Sequence, residues 1–333
     1  MHALELPTDP LGRFLEIARE VHGRKSRTDG WSSLRFAAQG LICAPGNPPK
    51  ISVELFETAD ELRRGAGWFG ALNGQVRYLV AASLLRCRGR AADFAREVER
   101  VRGLFKEAGL LRGSAFEVLA ILILCEDAPQ QRVTRSQVQR MAAVHAALKN
   151  DHRFLTGVDD YPACALLSAC GEEISQISAR IEHFYCALRD MKFKRGNQLQ
   201  SASHVLFFNP AQDDVVLRRF RELYDAFRAQ GLHMNQGDYH EVGCLTFLSQ
   251  DAGTIVERVL ADRRTIRGER PRPTKQEGFR LACNTSFLAL VPLDEELHRL
   301  TEVSRLIQVQ QMLQAQQAAV IGSSAAAAGT AAS

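Results

Sequence analysis

Residues 147–167 read ALKNDHRFLTGVDDYPACALL: a charged amphipathic stretch, a short loop with Gly and Asp, and then a more apolar stretch. Three more stretches follow this order, namely LFKEAGLLRGSAFEVLAILIL (104–124), ALRDMKFKRGNQLQSASHVLF (187–207) and AFRAQGLHMNQGDYHEVGCLTF (226–247). One apolar anchor recurs at the same place in each copy, with separations of 43, 40 and 39 residues: Phe105, Leu148, Leu188 and Phe227. A period of about 40 residues is typical of repeated helix pairs.

The first half of each copy has the apolar spacing of an amphipathic helix. In REVERVRGLFKEAG, Val98, Val101, Leu104 and Phe105 recur at steps of three and four, with Arg and Glu between them. The second halves are apolar nearly all round, which is typical of helices packed between layers. Extended along the chain, the pattern predicts seven pairs: 11–46, 51–88, 90–127, 133–171, 172–210, 212–250 and 252–292. The sequence therefore predicts an all-α fold of tandem antiparallel helical hairpins, as an α/α solenoid or, alternatively, a closed α/α toroid.

The regular part is predicted to be a single helical-repeat domain over residues 11–316, preceded by an N-terminal segment, 1–10. A further helix is expected to begin near Asp294 and to follow the seventh pair. The low-complexity, Ala-rich tail 317–333 is predicted to be disordered.

Composition and charge exclude several classes of protein. The 333 residues are 46% hydrophobic and 24% charged, which excludes a disordered, collagen-like or disulfide-knot chain. A net charge of +4 is too small a surplus to indicate nucleic acid or an anionic membrane. Aromatic residues are 7%, and 17 of the 24 are Phe, so platforms for stacked bases are not expected. We predict no nucleic-acid partner.

Cysteine usage and the termini point to the cytoplasm. The eight cysteines are scattered, form no CxxC pair, and lie mostly in apolar segments, where a free thiol behaves as a small buried hydrophobe. The N-terminus MHALELPTDP has no secretory pattern, and the longest apolar runs fall short of a membrane span. We expect a cytoplasmic protein with no membrane partner.

Three stretches carry a family resemblance: GWFGALNGQVRYLVAASLL, FLTGVDDYPACALLSA and KFKRGNQLQSASHVLFF. Their distinguishing features are the Trp68-Phe69 turn, the Asp159-Asp160-Tyr161-Pro162 helix start, the segment from Asn197 to Ser203 and His204, and the hairpin spacing. On these features residues 11–292 resemble a bacterial family of unknown function, DUF4003. The resemblance implies an all-helical bacterial protein and transfers no catalytic residue. The basic seventh loop and the Ala- and Gln-rich C-terminus depart from it.

Alignment of the second helices on their leucines places three of the five tyrosines at one repeat position. Tyr78, Tyr161 and Tyr239 each precede a Leu by six residues, and Phe116 and Gln200 fill that place in two other copies. The column predicts an aromatic spacer between stacked hairpins, or alternatively a row of hydroxyls that faces a groove or central cavity. With its polar neighbours it gives the candidate pocket or groove: Arg77, Tyr78, Asp159, Asp160, Tyr161, Asn197, Gln200, His204, Asp238, Tyr239 and His240.

The carboxylates and histidines beside this column have structural and chemical interpretations. Asp159 and Asp160 stand at a predicted helix start, where they would cap amides; alternatively, paired carboxylates act as acid and base or hold a cation. His240 and Cys244 are four residues apart on one helix face, but zinc needs three or four ligands and no second pair has suitable spacing. We predict no metal and no cofactor. The phosphate-loop, dinucleotide, zincin and nucleophile-elbow motifs are also missing, so the sequence identifies no catalytic residue.

The seventh pair contains a basic loop, RRTIRGERPRPTKQEG. It is either a solvated loop or a contact for an anion or an acidic partner. The candidate contact residues are Arg263, Arg264, Arg267, Arg270, Arg272 and Lys275.

Two functions fit these patterns. The first is a non-catalytic scaffold that binds a protein or peptide along its concave face, because stacked repeats create long grooves. The second is an enzyme or a small-molecule or metal-binding protein whose hairpins close into a toroid with a central pocket. The two differ in whether the first and last hairpins touch. The sequence leaves enzymatic activity and oligomeric state open.

Overall fold

A computed structural model describes residues 6–27, 29–65, 70–127, 132–151 and 155–291. These residues form α-helices and short 3-10 turns and no strand. The helices are α1 (Pro10–Arg24), α2 (Trp31–Gly40), α3 (Pro48–Gly65), α4 (Val76–Cys87), α5 (Ala91–Glu107), α6 (Ala115–Asp127), α7 (Arg135–Asp151), α8 (Tyr161–Ser168), α9 (Ile174–Asp190), α10 (Asn197–Phe207), α11 (Asp213–Ala229), α12 (Tyr239–Leu245), α13 (Ala252–Ile266) and α14 (Lys275–Leu290). The all-α prediction is confirmed. The Trp68-Phe69 turn, the helix predicted from Asp294 and the C-terminal tail lie outside the described residues.

The two kinds of helix follow from their sequences. Helix α11 buries an apolar stripe that includes Phe220 and Phe227, while its Arg and Glu residues remain on the opposite side. Helix α6, AFEVLAILILCED, is buried on almost every side, because apolar residues occupy nearly all of its positions. Between such pairs the chain turns at glycines in the left-handed region, as at Gly109 (φ +72°) and Gly231 (φ +77°), where a side chain would be strained.

The odd-numbered helices form an outer layer and the even-numbered helices an inner layer. Outer helices pack on outer helices, as α1 on α3 and α7 on α9, and inner on inner, as α6 on α8 and α10 on α12. A continuous hydrophobic core runs between the layers from Phe14 to Val291. The seven described pairs fall at the seven predicted positions. No described helix combines the length and the apolar composition needed to cross a lipid bilayer.

The first and last hairpins are in contact, so the row of hairpins closes into a ring. Helices α1 and α2 both pack against α14. Gln39 of α2 donates through Nε2 to the backbone oxygen of Leu281 at 3.0 Å. Arg35 Nη1 lies 2.8 Å from Glu277 Oε1 across the same seam. The contacts therefore favour the toroid alternative over the open solenoid. The sequence period gives the number of residues in each hairpin. The curvature of the row of hairpins depends instead on how neighbouring hairpins are rotated relative to one another.

In four hairpins an arginine of the outer helix binds the C-terminal end of the inner helix. Its guanidinium donates to backbone oxygens at, or a few residues after, the end of the inner helix in its own pair. Arg140, for example, reaches the carbonyls of Ser168 and Cys170 at 2.9 and 2.8 Å. The same contact is made by Arg13, Arg180 and Arg219. The last carbonyls of a helix lack intrahelical partners, and a cation there also opposes the helix dipole.

Candidate functional site

The tyrosine column ties each hairpin to the one before it. Tyr161 is buried, and its hydroxyl accepts a hydrogen bond from the backbone N–H of Leu111, in the loop of the preceding hairpin, at 2.9 Å. Tyr239 accepts in the same way from Lys194 at 3.2 Å. Each hydroxyl is used inside the protein, in the manner of the predicted spacer.

We call this hydrogen bond to the loop of the preceding hairpin the tie. It is also made where the column position holds another residue type. Gln200 donates through Nε2 to Thr156 Oγ1, in the preceding loop, at 2.9 Å. Arg280 of α14 donates to the Gly237 oxygen at 3.1 Å. Arg35 of α2 donates to the Pro271 oxygen and so connects the first hairpin to the loop of the last. The column therefore helps to close the ring.

Arg77 and Tyr78 form the charged version of this tie. The Tyr78 hydroxyl donates to Asp29 Oδ1 at 2.5 Å, and Arg77 Nη2 lies 3.3 Å from the same oxygen. All three side chains are buried. Burial and the bond to Asp29 raise the pKa of Tyr78. Burial opposes ionisation of Asp29, but hydrogen bonds from Tyr78 and Ser26 outweigh it and lower the pKa of that carboxyl. The Asp29 carboxylate is thus paired with both Arg77 and Tyr78, while the Arg77 Nε–H is buried without an acceptor among the described residues.

The aspartates before Tyr161 and Tyr239 close their own turns. Asp160 Oδ2 accepts from the Gly157 backbone N–H at 2.9 Å, and Asp238 Oδ2 accepts from the Asn235 N–H at 2.9 Å. Burial, and next the neighbouring Asp159, raise the pKa of Asp160 to about 7. Burial also raises the pKa of Asp238. Each carboxylate therefore binds a backbone N–H three residues earlier, across a 3-10 turn, and neither caps the first turn of α8 or α12 with its side chain.

The remaining inner-helix candidates differ in burial and in partners. His240 is buried, with Nε2 2.8 Å from Glu241 Oε1, and Glu241 is 3.3 Å from Arg280 Nε. His204 is buried in α10, while Asn197 is exposed at the first position of that helix. No group of three His, Cys, Asp or Glu residues within the described ranges is arranged to hold a metal ion.

Neighbouring inner helices share a second hydrophobic cluster, separate from the main core. It joins Ala163 and Leu166 of α8, Val205 of α10 and Cys244 of α12. Ile123, Phe208 and Phe247 pack against it. The Tyr161 and Tyr239 hydroxyls bind backbone N–H groups of the preceding hairpins and are not free to line a central pocket.

A cavity lies instead at the end of the ring where α4 and α6 end. It has a volume of about 440 Å³ and lies between α4, α5 and α6. Its lining combines apolar, charged and thiol side chains: Ser83, Leu84, Cys87, Asp93, Phe94, Arg96, Glu97, Arg100, Leu122, Cys125, Glu126 and Arg132. We call it the α4–α6 cavity.

Glu126 organises the inner wall of the α4–α6 cavity. Its Oε1 accepts from Ser83 Oγ at 2.7 Å and from Arg86 Nη2 at 2.9 Å, and Cys87 Sγ lies at 3.6 Å. Burial, and next the charge of Glu126, raise the pKa of Cys87 to about 12. The pKa of Cys125 rises to about 12 for the same first reason, burial. Both thiols are therefore neutral at physiological pH.

Part of the predicted basic loop is helical. Arg263 and Arg264 belong to α13, and Lys275 begins α14, because the prolines that exclude a helix start only at Pro271. Arg263 and Arg267 are half-buried, whereas the other candidates of this segment are exposed: Arg264, Arg270, Arg272 and Lys275.

Sequence reasoning missed three features of the structure: two partner carboxylates, the cavity and the capping arginine. Asp29 and Glu241 are partners from other segments, so no local pattern marks them. The α4–α6 cavity combines three helices, and its residues share no motif. The capping arginine had a visible signal, since Arg140, Arg180 and Arg219 are 40 and 39 residues apart.

Comparisons with known proteins give a family and no activity. A family described as protein of unknown function (DUF4003) matches residues 37–318. An uncharacterized protein of Bacillus subtilis (strain 168), YeaA, is 23% identical over 205 residues, which cover 61% of this chain. The match spans 62% of the length of that relative. No solved structure matches the chain.

Proposed function

Since this chain belongs to the DUF4003 family, whose function is unknown, we propose a function from geometry: a non-catalytic protein that binds a small polar molecule. The observation that carries the proposal is the α4–α6 cavity. Six of its twelve lining residues are charged, and they stand beside Ser83, two cysteines and the apolar Leu84, Phe94 and Leu122. Such a lining fits a small polar ligand, which the polar atoms would orient while the apolar side chains add affinity.

The contact between the first and last hairpins favours a pocket over a peptide groove. A closed ring offers no continuous concave face along which a peptide could lie. Among the described residues, the large apolar side chains with high exposure are Leu111 and Val215, which lie on separate elements. Peptide grooves usually present a contiguous apolar patch. The cavity is the more suitable binding site.

The chemistry of the cavity supports binding over catalysis. A cysteine nucleophile must be a thiolate, and the pKa of Cys87 and of Cys125 is raised to about 12. Glu126 already accepts hydrogen bonds from Ser83 and Arg86. These groups can orient a ligand through the remaining hydrogen-bonding capacity of the serine and the carboxylate.

The test is native mass spectrometry of gently purified protein, with Cys87→Leu and Cys186→Leu as a matched pair. Both cysteines are half-buried, but only Cys87 lines the cavity, so only Cys87→Leu fills it. We expect wild type and Cys186→Leu to carry one copy of a small molecule and Cys87→Leu to carry none. Equal circular dichroism spectra would establish that both variants fold.

Two results would contradict the proposal. One is a bare wild-type chain whose melting temperature is unmoved by a panel of polar metabolites. The other is a bound molecule retained in full by Cys87→Leu, which would locate the ligand elsewhere.

A further inference from the structure

Residues 263–280 carry more positive charge than is neutralised at the contact between the first and last hairpins. The stretch has seven basic residues and two glutamates. Ring closure engages both glutamates: Glu269 lies 2.7 Å from Arg19, and Glu277 lies 2.8 Å from Arg35. Because the first hairpin uses these carboxylates, they are not available to the arginines of their own segment.

Two of these arginines are half-buried without an acceptor. Arg263 and Arg267 are four residues apart at the end of α13, so they lie on one side of the helix. The Nε–H of each is buried and has no hydrogen-bond acceptor among the described residues. Within the same residues neither guanidinium forms an ion pair. Burial, and next the charge of Arg267, lower the pKa of Arg263.

The surrounding backbone holds these side chains in place. The aliphatic stem of Arg267 lies on Gly278 of α14, so close that an added Cβ there would be 2.7 Å from Arg267 Cγ. Gly278 therefore supplies the space that the arginine occupies.

The nearby carboxylates are already engaged. Glu241 pairs with Arg280 and His240. Asp238 attracts Arg263 electrostatically, but Asp238 Oδ2 accepts a hydrogen bond from the backbone N–H of Asn235. Burying a charged donor with no acceptor is unfavourable. An oxyanion would offset this cost because it supplies several acceptor atoms.

We propose that Arg263 and Arg267 bind a phosphate group at the end of α13, beside α14. The planar guanidinium matches the oxygens of a phosphate, and two neighbouring guanidinium groups supply several donors. The exposed Arg264, Arg270 and Arg272 lie within a few residues of them in the chain and raise the local concentration of anions. The site is separate from the α4–α6 cavity, so each proposal stands or fails by itself.

The test is isothermal titration of the full chain with inorganic phosphate, at an ionic strength held constant with sodium chloride. Arg263→Gln and Arg267→Gln remove one charge each from the site. Arg264→Gln and Arg272→Gln remove one charge each from its exposed surroundings. We expect the first pair to weaken phosphate binding about tenfold or more, and the second pair less than threefold. Equal melting temperatures in chloride alone would show that all four variants fold.

The result that would overturn the proposal is absence of phosphate binding in wild type at millimolar concentrations. Equal losses in all four variants would overturn it too, because they would indicate a diffuse charge effect. Two further arms identify the source of the phosphate within the proposal. Tighter binding of glycerol 3-phosphate would indicate a soluble monoester, whereas sedimentation with phosphatidic acid vesicles would indicate a lipid headgroup.

Discussion

The closing tie between Arg35 and Glu277 should be among the most costly polar contacts to remove. Arg35 and Glu277 are 13% and 7% exposed and lie 2.8 Å apart, and Arg35 also donates to the Pro271 oxygen. Arg35→Gln would leave the Glu277 carboxylate buried without its cation. Breaking such a pair costs about 3–5 kcal/mol.

A second ion pair in the same seam provides the control. Arg19 lies 2.7 Å from Glu269, but these side chains are 62% and 28% exposed. Water screens that pair, so Arg19→Gln should cost at most about 1 kcal/mol. The two substitutions remove the same charge from the same interface and differ mainly in burial.

The assay is urea unfolding followed by circular dichroism, with thermal melts beside it. At about 2 °C per kcal/mol for a chain of this size, Arg35→Gln should lower the melting temperature by about 6–10 °C. A double variant with Glu277→Gln should be more stable than the two single losses predict, because it removes both charges. If Arg35→Gln lowered the free energy of unfolding no more than Arg19→Gln, the first and last hairpins would not be in contact in solution. That result would refute the ring.

Three further predictions concern the column, the capping arginine and pH. Tyr161→Phe should cost about 1–2 kcal/mol in urea unfolding, since it leaves the Leu111 N–H without its acceptor; no change would mean that the tie is unimportant. Arg140→Lys should destabilise by about 1–3 kcal/mol, because an ammonium cannot span the Ser168 and Cys170 carbonyls as a guanidinium does; full stability would contradict the capping role. The pKa of Asp160 is about 7 in the folded protein and about 4 in an unfolded chain. Its ionisation therefore removes stability as pH rises from about 4 to about 7. Asp160→Asn should be more stable than wild type at pH 8 and similar at pH 4, and parallel pH profiles would exclude this assignment.

The tyrosine column shows how much of the site could be predicted from the sequence. Alignment of the second helices found Tyr78, Tyr161, Gln200 and Tyr239 at one position and predicted a spacer between hairpins. It did not find their partners, because each lies in the loop of the preceding hairpin, 44 to 50 residues away, where loop sequences share no pattern. Arg35 and Arg280 were also missed, since the alignment did not include the first and last copies.

The α4–α6 cavity was beyond sequence reasoning for a different reason. Its inner wall depends on Glu126, which brings Ser83 and Arg86 together from about 40 residues earlier. Each of these residues fits its own helix without any functional role. A cavity is space left between packed surfaces, and no residue type at any spacing encodes it.

The sequence by itself determined the helices, their alternation of amphipathic and apolar kinds, and their pairing at a period near 40 residues. Helix periodicity and turn glycines are local properties, so they can be read along the chain. Only the tertiary structure decided that seven hairpins close into a ring, that the first hairpin pairs with Glu269 and Glu277, and that Arg263 and Arg267 are left without them. Closure depends on small rotations between packed hairpins that add up over the whole ring, and no single repeat carries that sum.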